Sequence, residues 1–124
     1  MKKVSSSSSG FHHFFAATQN SLRGIRDAFL TAAAFRQECA LLIVHYVALF
    51  LVPMCVALRL VLVILGPILL ATELLNSAVE AVIDIVSPEW NLKARYAKDF
   101  GSAAVFMVLL LIVALWVIAI VAIL

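Results

Sequence analysis

Charge is what this sequence has least of. Of its 124 residues only 13% are Asp, Glu, Lys or Arg, while 65% are hydrophobic. Soluble domains carry about 25% charged and ~45–50% apolar residues. A chain this short has no core large enough to hide the excess. A water-soluble globule is therefore excluded, and the bilayer must solvate much of the chain. Cysteine is scarce too. Cys39 and Cys55 lack metal-ligand spacing and fall at opposite ends of one apolar segment, which excludes a disulfide between them. Both read as small apolar residues. No glycine-rich phosphate loop occurs, so P-loop and protein-kinase-type nucleotide sites are excluded. The net charge of +2 is small, and no nucleic-acid partner is expected. No secretory signal is expected either, because the first long apolar run starts near residue 39 and is too long for a signal core.

What the chain does have is long apolar helix material interrupted by one polar stripe. Thr72 to Asp84 reads T-E-L-L-N-S-A-V-E-A-V-I-D, and Leu60 to Ala71 before it carries no charge. Glu73, Asn76, Glu80 and Asp84 stand at offsets of 0, 3, 7 and 11, a single face at 3.6 residues per turn. Leu74, Leu75, Val79, Val82 and Ile83 occupy the other faces, for lipid or neighbouring helices. A carboxylate at the bilayer centre costs roughly 2.5–3.5 kcal/mol, and Glu73 is the deepest of the group. Asn76 and Ser77 could act as hydrogen-bonding glue between helices. Two glutamates on one face exceed what glue needs, so the stripe reads as a functional site.

In chain order, Met1 to Gly10 is polar and of low complexity, and residues 1–10 are expected to form a disordered tail. His12 and His13 would point about 100° apart on a helix, which suits surface contact better than a metal pair. Residues 11–35 are patterned as an amphipathic helix. Phe14, Phe15, Thr18, Leu22, Ile25 and Phe29 share one face, with Gln19, Arg23, Arg26 and Asp27 around the rest. Such a basic segment ahead of a span reads as an interfacial helix on the membrane, with packing on protein as the alternative. Ala32 to Glu38 reads as a short polar hinge. Residues 36–124 form a transmembrane domain with spans expected at about 39–58, 60–86 and 100–124, each long enough to cross ~30 Å. His45 is expected to face protein, Pro53 to end or bend the first span, and Gly66-Pro67 to kink the second. Glu89 to Lys98 reads as a charged connection with Trp90 and Tyr96 as interface aromatics. Gly101, Ser102, Ala103 and Ala104 suit close packing of the third span on the stripe. The fold class is an all-α membrane protein, one surface helix plus three transmembrane helices.

Eight of the nine basic residues fall on one side. Lys2, Lys3, Arg23, Arg26 and Arg36 precede the first span, Lys93, Arg95 and Lys98 join the second and third, and Arg59 alone lies opposite. The positive-inside rule then puts the N-terminus and residues 87–98 in the cytoplasm and the C-terminus outside. Glu80, Asp84, Lys98 and Asp99 would gather at the cytoplasmic mouth, facing the compartment that holds ATP. That constellation suits either ion movement or phosphoryl transfer to a lipid headgroup. Transport wants a polar path across the membrane, yet Leu60–Ala71 and Val105–Leu124 carry no charge. Chemistry at one face is favoured. Phosphoryl transfer needs carboxylates for magnesium, a lysine for phosphate oxygens and a base for the attacking hydroxyl.

Three segments carry a resemblance. E-L-L-N-S-A-V-E-A-V-I-D at 73–84, A-K-D-F-G-S-A-A-V at 97–105 and A-A-F-R-Q-E at 33–38 together resemble the prokaryotic diacylglycerol kinase family. The proteobacterial branch fits better than the undecaprenol kinase branch, through A-F-R-Q-E and the three-span layout. The resemblance implies a homotrimer in the bacterial inner membrane, with active sites shared between subunits. It implies transfer of the γ-phosphoryl of ATP, with Mg2+, to diacylglycerol, giving phosphatidic acid. It implies Glu73 as general base, Glu80 as magnesium ligand and Asn76 as a donor near the γ-phosphate. Lys98 and Asp99 would contact nucleotide, and Ser21, Gln37 and Glu38 would line the lipid or nucleotide pocket.

The departures are equally specific. Ala32 stands where the family pattern has a glutamate expected to share a metal with Glu80. His13 replaces an arginine, Asn20 an aromatic residue and Asn91 a histidine. Each thins a nucleotide contact, and none touches the apolar stripes. An undecaprenol kinase of the same fold and a weakened or inactive family member are the alternatives.

Overall fold

The computed structural model describes residues 7–124, and all the regular secondary structure within them is helical. The elements are α1 (Ser7–Thr31), α2 (Ala33–Leu51), α3 (Val56–Val86) and α4 (Leu92–Val121). The last three are long and apolar enough to cross a membrane. At 1.5 Å per residue the 31 residues of α3 extend about 46 Å, well past a ~30 Å hydrocarbon layer.

Helix boundaries depart from expectation at several places. The expected hinge of Ala32–Glu38 shrinks to Ala32 alone, in extended conformation at φ −94° and ψ 111°. Alanine cannot cap a helix with its side chain, and here it makes no such bond. The junction is stabilised from the far side instead. Arg36 Nη1 donates to the carbonyls of Phe29 at 3.1 Å and Leu30 at 3.2 Å, two of the acceptors that the end of α1 leaves free. The connection expected over Glu89–Lys98 is likewise mostly helix. Asn91 Oδ1 accepts from the backbone amides of Lys93 at 2.8 Å and Ala94 at 3.3 Å, so α4 begins at Leu92 rather than residue 100. α2 ends at Leu51, short of residue 58, with Pro53 just beyond, and α3 starts at Val56. At the N-terminal end α1 begins at Ser7, inside the expected tail, and residues 1–6 lie outside the described residues.

α3 is the centre of the molecule, packing chiefly on α4 and α2, while α1 touches α2 and α3 sparingly. Its inward face runs Leu62, Leu65, Leu69, Glu73, Asn76, all buried and spaced three or four apart. Leu42 and Leu49 of α2 and Val105 and Ile112 of α4 close on the leucines to form the core. The outward faces stay apolar and uncovered, as at Ile43, Val44, Phe106 and Met107. Gly101 packs on the stripe as expected, whereas Ser102, Ala103 and Ala104 point away and are exposed.

Replacing Asn91 by Ala should cost about 1 kcal/mol of stability, and Asn91→Asp should cost little because the carboxylate still accepts from both amides. Denaturant unfolding in micelles reads the cost. Faster hydrogen exchange at Lys93 and Ala94 would assign it to the cap.

Candidate active site

Where the inward face of α3 turns polar, three acceptor-bearing side chains are shut away from solvent. Glu73 is 3% exposed, Asn76 8% and Glu38 of α2 7%. The Glu38 and Glu73 carboxylates lie close enough to feel each other's charge. Ser77 Oγ, one turn beyond Glu73, donates to Glu73 Oε1 at 3.4 Å. Among the described residues nothing bonds Glu38 Oε2 or Asn76 Oδ1, although both are fully enclosed. An enclosed acceptor without a donor costs about 1–3 kcal/mol. Two of them beside a second carboxylate mark a place built to receive protons, cations or hydroxyl donors.

Asn76 reaches that position because Gly101 lets it. A Cβ built on Gly101 would run into Asn76 Oδ1 and lie 3.3 Å from its Cγ. The α3–α4 approach thus depends on a hydrogen atom at residue 101.

The outer members of the stripe are organised differently. Glu80 and Asp84 are exposed. Lys98 Nζ pairs with Asp84 Oδ1 at 2.6 Å, and Arg95 Nε pairs with Asp99 Oδ2 at 3.3 Å along α4. Exposed pairs of this kind contribute little to stability and break readily. They border a cleft of about 520 Å³ lined by Asp84, Trp90, Asn91, Arg95 and Lys98. A second groove, of about 580 Å³, runs between α1 and α3 past Ser21, Ile25, Ala28, Leu74 and Ser77. Ser21 Oγ meanwhile donates to Ala17 O at 3.0 Å. Ser77 therefore links the groove to Glu73. Gln37 is exposed on α2 beside Glu38, and Ala32 sits half-buried at the α1–α2 break.

The structure thus brings Glu38, Glu73 and Asn76 together, sets Ser21 in the adjoining groove and Lys98 at the cleft, and leaves Gln37, Glu80 and Asp99 on the surface. From the sequence Ser77 reads only as inter-helix glue and Arg95 only as one of the basic residues of the connection. Ser77 is one turn from Glu73, and Arg95 is one turn from Asp99, so helical spacing alone could have paired both. Two of the family departures have local roles: Asn91 caps α4, and Asn20 Oδ1 accepts from Arg23 Nη2 at 2.6 Å.

No three His, Cys, Asp or Glu side chains come together as a metal cage among the described residues. Magnesium would not need such a cage, being commonly held through one or two carboxylates with waters and phosphate oxygens completing its octahedron. The enclosed, unbonded Asn76 and Glu38 oxygens fit the same polar environment.

A small helical membrane protein with buried carboxylates at one end of a three-helix bundle is the class these features define. The sequence profile of the prokaryotic diacylglycerol kinases matches residues 19–120. Diacylglycerol kinase of Haemophilus influenzae is 37% identical over 113 residues, covering 86% of this chain and 91% of that protein. That of Escherichia coli K12 is 32% identical over 113 residues, covering 91% and 93%. That of Pseudomonas aeruginosa is 39% identical over 107 residues, covering 86% and 87%. The chain belongs to the prokaryotic diacylglycerol kinase family and is a kinase.

Gly101→Ala should push the Asn76 side chain off α4 while leaving the helices formed. Asparagine-selective NMR labelling would register this as a displaced Asn76 amide resonance with unchanged helical circular dichroism.

Proposed function

We propose that the chain transfers the γ-phosphoryl group of ATP to the free hydroxyl of diacylglycerol, giving phosphatidic acid and ADP. The observation that carries this is Glu73, enclosed against Glu38 and Asn76 on the one polar section of an otherwise leucine-lined helix face. Glu73 is the general base. It accepts the hydroxyl proton as the lipid oxygen attacks the γ-phosphorus, and the bond to the bridging oxygen breaks to release ADP. Ser77 orients the Glu73 carboxylate through its hydroxyl. Asn76, with an amide whose oxygen lacks a donor, holds the γ-phosphate through its NH2. Lys98 exchanges Asp84 for phosphate oxygens, and Asp99 fixes the nucleotide alongside it. Glu80 would hold magnesium, which supplies charge neutralisation on the triphosphate.

The lipid enters from the bilayer, and the groove between α1 and α3 supports this route because Ser21 and Ser77 line its wall. α1, with Phe11, Phe14, Phe15 and Leu22 uncovered, lies along the inner-membrane surface. The basic residues put the N-terminus and the α3–α4 connection in the cytoplasm and the C-terminus in the periplasm. A homotrimer accounts for the uncovered apolar faces of α2–α4, and a neighbouring subunit would complete the metal and nucleotide contacts.

One observation favours a modified version of this reading. Ala32 occupies the α1–α2 break with no side-chain oxygen to offer, so magnesium would have one protein ligand fewer than the family pattern implies. The activity should then need more magnesium.

The test is phosphorylation of diacylglycerol and of undecaprenol, side by side in mixed micelles, across a magnesium titration. Phosphatidic acid formed at elevated magnesium supports the proposal. Product from undecaprenol alone reassigns the acceptor, and product from neither lipid sinks the kinase assignment. Glu73→Gln should lower kcat by about 10²–10⁴-fold while leaving the KM for ATP nearly unchanged. A lost ATP affinity in that variant would move Glu73 to the metal. Ala32→Glu should lower the magnesium concentration for half-maximal rate, and Glu80→Gln should raise it.

A further inference from the structure

Away from the carboxylates, toward the α2–α3 connection, three polar side chains meet, two of them on the backbone of α3. His45 and Tyr46 come from α2 and Trp116 from α4. Trp116 Nε1 donates to His45 Nδ1 at 3.0 Å, with the rings edge-on at 84°. An indole nitrogen only donates, so Nδ1 is the acceptor and the ring proton sits on Nε2. His45 Nε2 then donates to Leu62 O at 3.1 Å. Tyr46 Oη donates to Val63 O at 3.0 Å.

The choice of carbonyl is what gives this cluster meaning. Val63 lies four residues before Pro67, and proline has no N–H to return to it. Its carbonyl would otherwise stand without a partner in a region where no water is available to replace one. The Tyr46 hydroxyl fills that vacancy. Gly66 makes the approach possible, because a Cβ there would run into the Tyr46 hydroxyl and come within 3.3 Å of Leu42 Cδ2. Gly66 and Pro67 are two halves of one socket: the proline frees the acceptor and the glycine admits the donor.

A socket fixes register. α2 and α3 run antiparallel through a short connection, with His45 over Leu62 and Tyr46 over Val63. Two turns back along α2 from His45 comes Glu38, and three turns on along α3 from Leu62 comes Glu73. A slide or twist of α2 against α3 at the socket would part those two carboxylates. Trp116 adds α4, the helix whose Gly101 seats Asn76.

We propose that His45, Tyr46 and Trp116 form a clasp on the Gly66-Pro67 socket that sets the register of α2 and α4 against α3. They are positioning residues for the Glu38–Glu73–Asn76 cluster, acting from the opposite half of the membrane. The catalytic side of this proposal rests on the kinase reading above; the register side does not.

The experiment uses the full chain in micelles, with Cys55→Ser and Leu75→Cys. Spin labels on Cys39 and at position 75 report the α2–α3 register near the carboxylates, in protein diluted with unlabelled chain. Tyr46→Phe should shift or broaden that distance distribution and lower kcat about tenfold, with KM for ATP and lipid little changed. Adding Pro67→Ala returns the missing N–H to the Val63 carbonyl, so Tyr46→Phe/Pro67→Ala should recover both the distance and kcat. Trp116→Phe, which keeps an aromatic ring and loses the donor, should act like Tyr46→Phe and serves if the latter does not fold. Wild-type distances in both single variants overturn the proposal, as does a Tyr46→Phe defect that Pro67→Ala leaves uncorrected. Absence of turnover in the wild-type chain counts against the kinase reading, and the label distances still decide the clasp.

Discussion

Everything in this molecule depends on one face of α3 having to be buried along its length while changing chemistry partway. Leu62, Leu65 and Leu69 gain packing from α2 and α4. Glu73 and Asn76 continue the same face into the same enclosure. A helix cannot rotate to satisfy one set without moving the other, because the spacing that aligns them is the helical repeat itself. Burial of the leucines therefore carries the polar residues inward whether or not donors await them. Within bilayers apolar packing gains nothing over lipid beyond contact and fit, so the fit of those leucines is what the enclosure rests on.

The consequence is an unbalanced polar cluster: Glu38 Oε2 and Asn76 Oδ1 are enclosed and unbonded, and a second carboxylate lies nearby. A single chain has few donors left to give. Arg36 is committed to the carbonyls that end α1, Arg95 to Asp99 and Lys98 to Asp84. Structural glue would have matched these acceptors with hydroxyl or amide donors on facing helices. Acceptors gathered without donors suit a site whose protons and cations arrive with its substrates, which is the chemistry that phosphoryl transfer to a hydroxyl requires.

Much of this was legible from spacing, and the rest was not for definable reasons. The order of four helices and the Glu73–Asn76 face follow from periodicity, which local sequence carries in full. Composition misplaces the start of α4, because Lys93, Arg95, Lys98 and Asp99 look like a connection. The cap at Asn91 outweighs composition, since it satisfies two amides at once. The α1–α2 break fell on one alanine because its stabilising contact, Arg36 on Phe29 and Leu30, spans six or seven residues and leaves no local signature. Glu38 entered through resemblance alone, as α2 has no polar periodicity to point at it. Pro67 was legible as a kink, but the residue that answers its freed carbonyl lies on another helix, and no single-chain pattern names Tyr46. Asp84 and Glu80 stand one turn apart, so spacing could not say which of them Lys98 would meet.

The two ends of the bundle are held by opposite kinds of interaction, and that asymmetry has functional meaning. In the half away from the carboxylates the helices are tied by hydrogen bonds to backbone carbonyls in a region without water, where an opened bond has no replacement partner. At the charged end the ties between side chains are exposed ion pairs, Lys98 with Asp84 and Arg95 with Asp99, which water and salt can replace at little loss. The chain is thus held firmly at one end and readily rearranged at the end where the proposed mechanism brings in a highly charged nucleotide. On the proposed mechanism the surface pairs exchange for phosphate oxygens on every turnover while the base, Glu73, keeps its position. Holding register at one end and keeping the pairs at the other end cheap to break meets both demands within 124 residues.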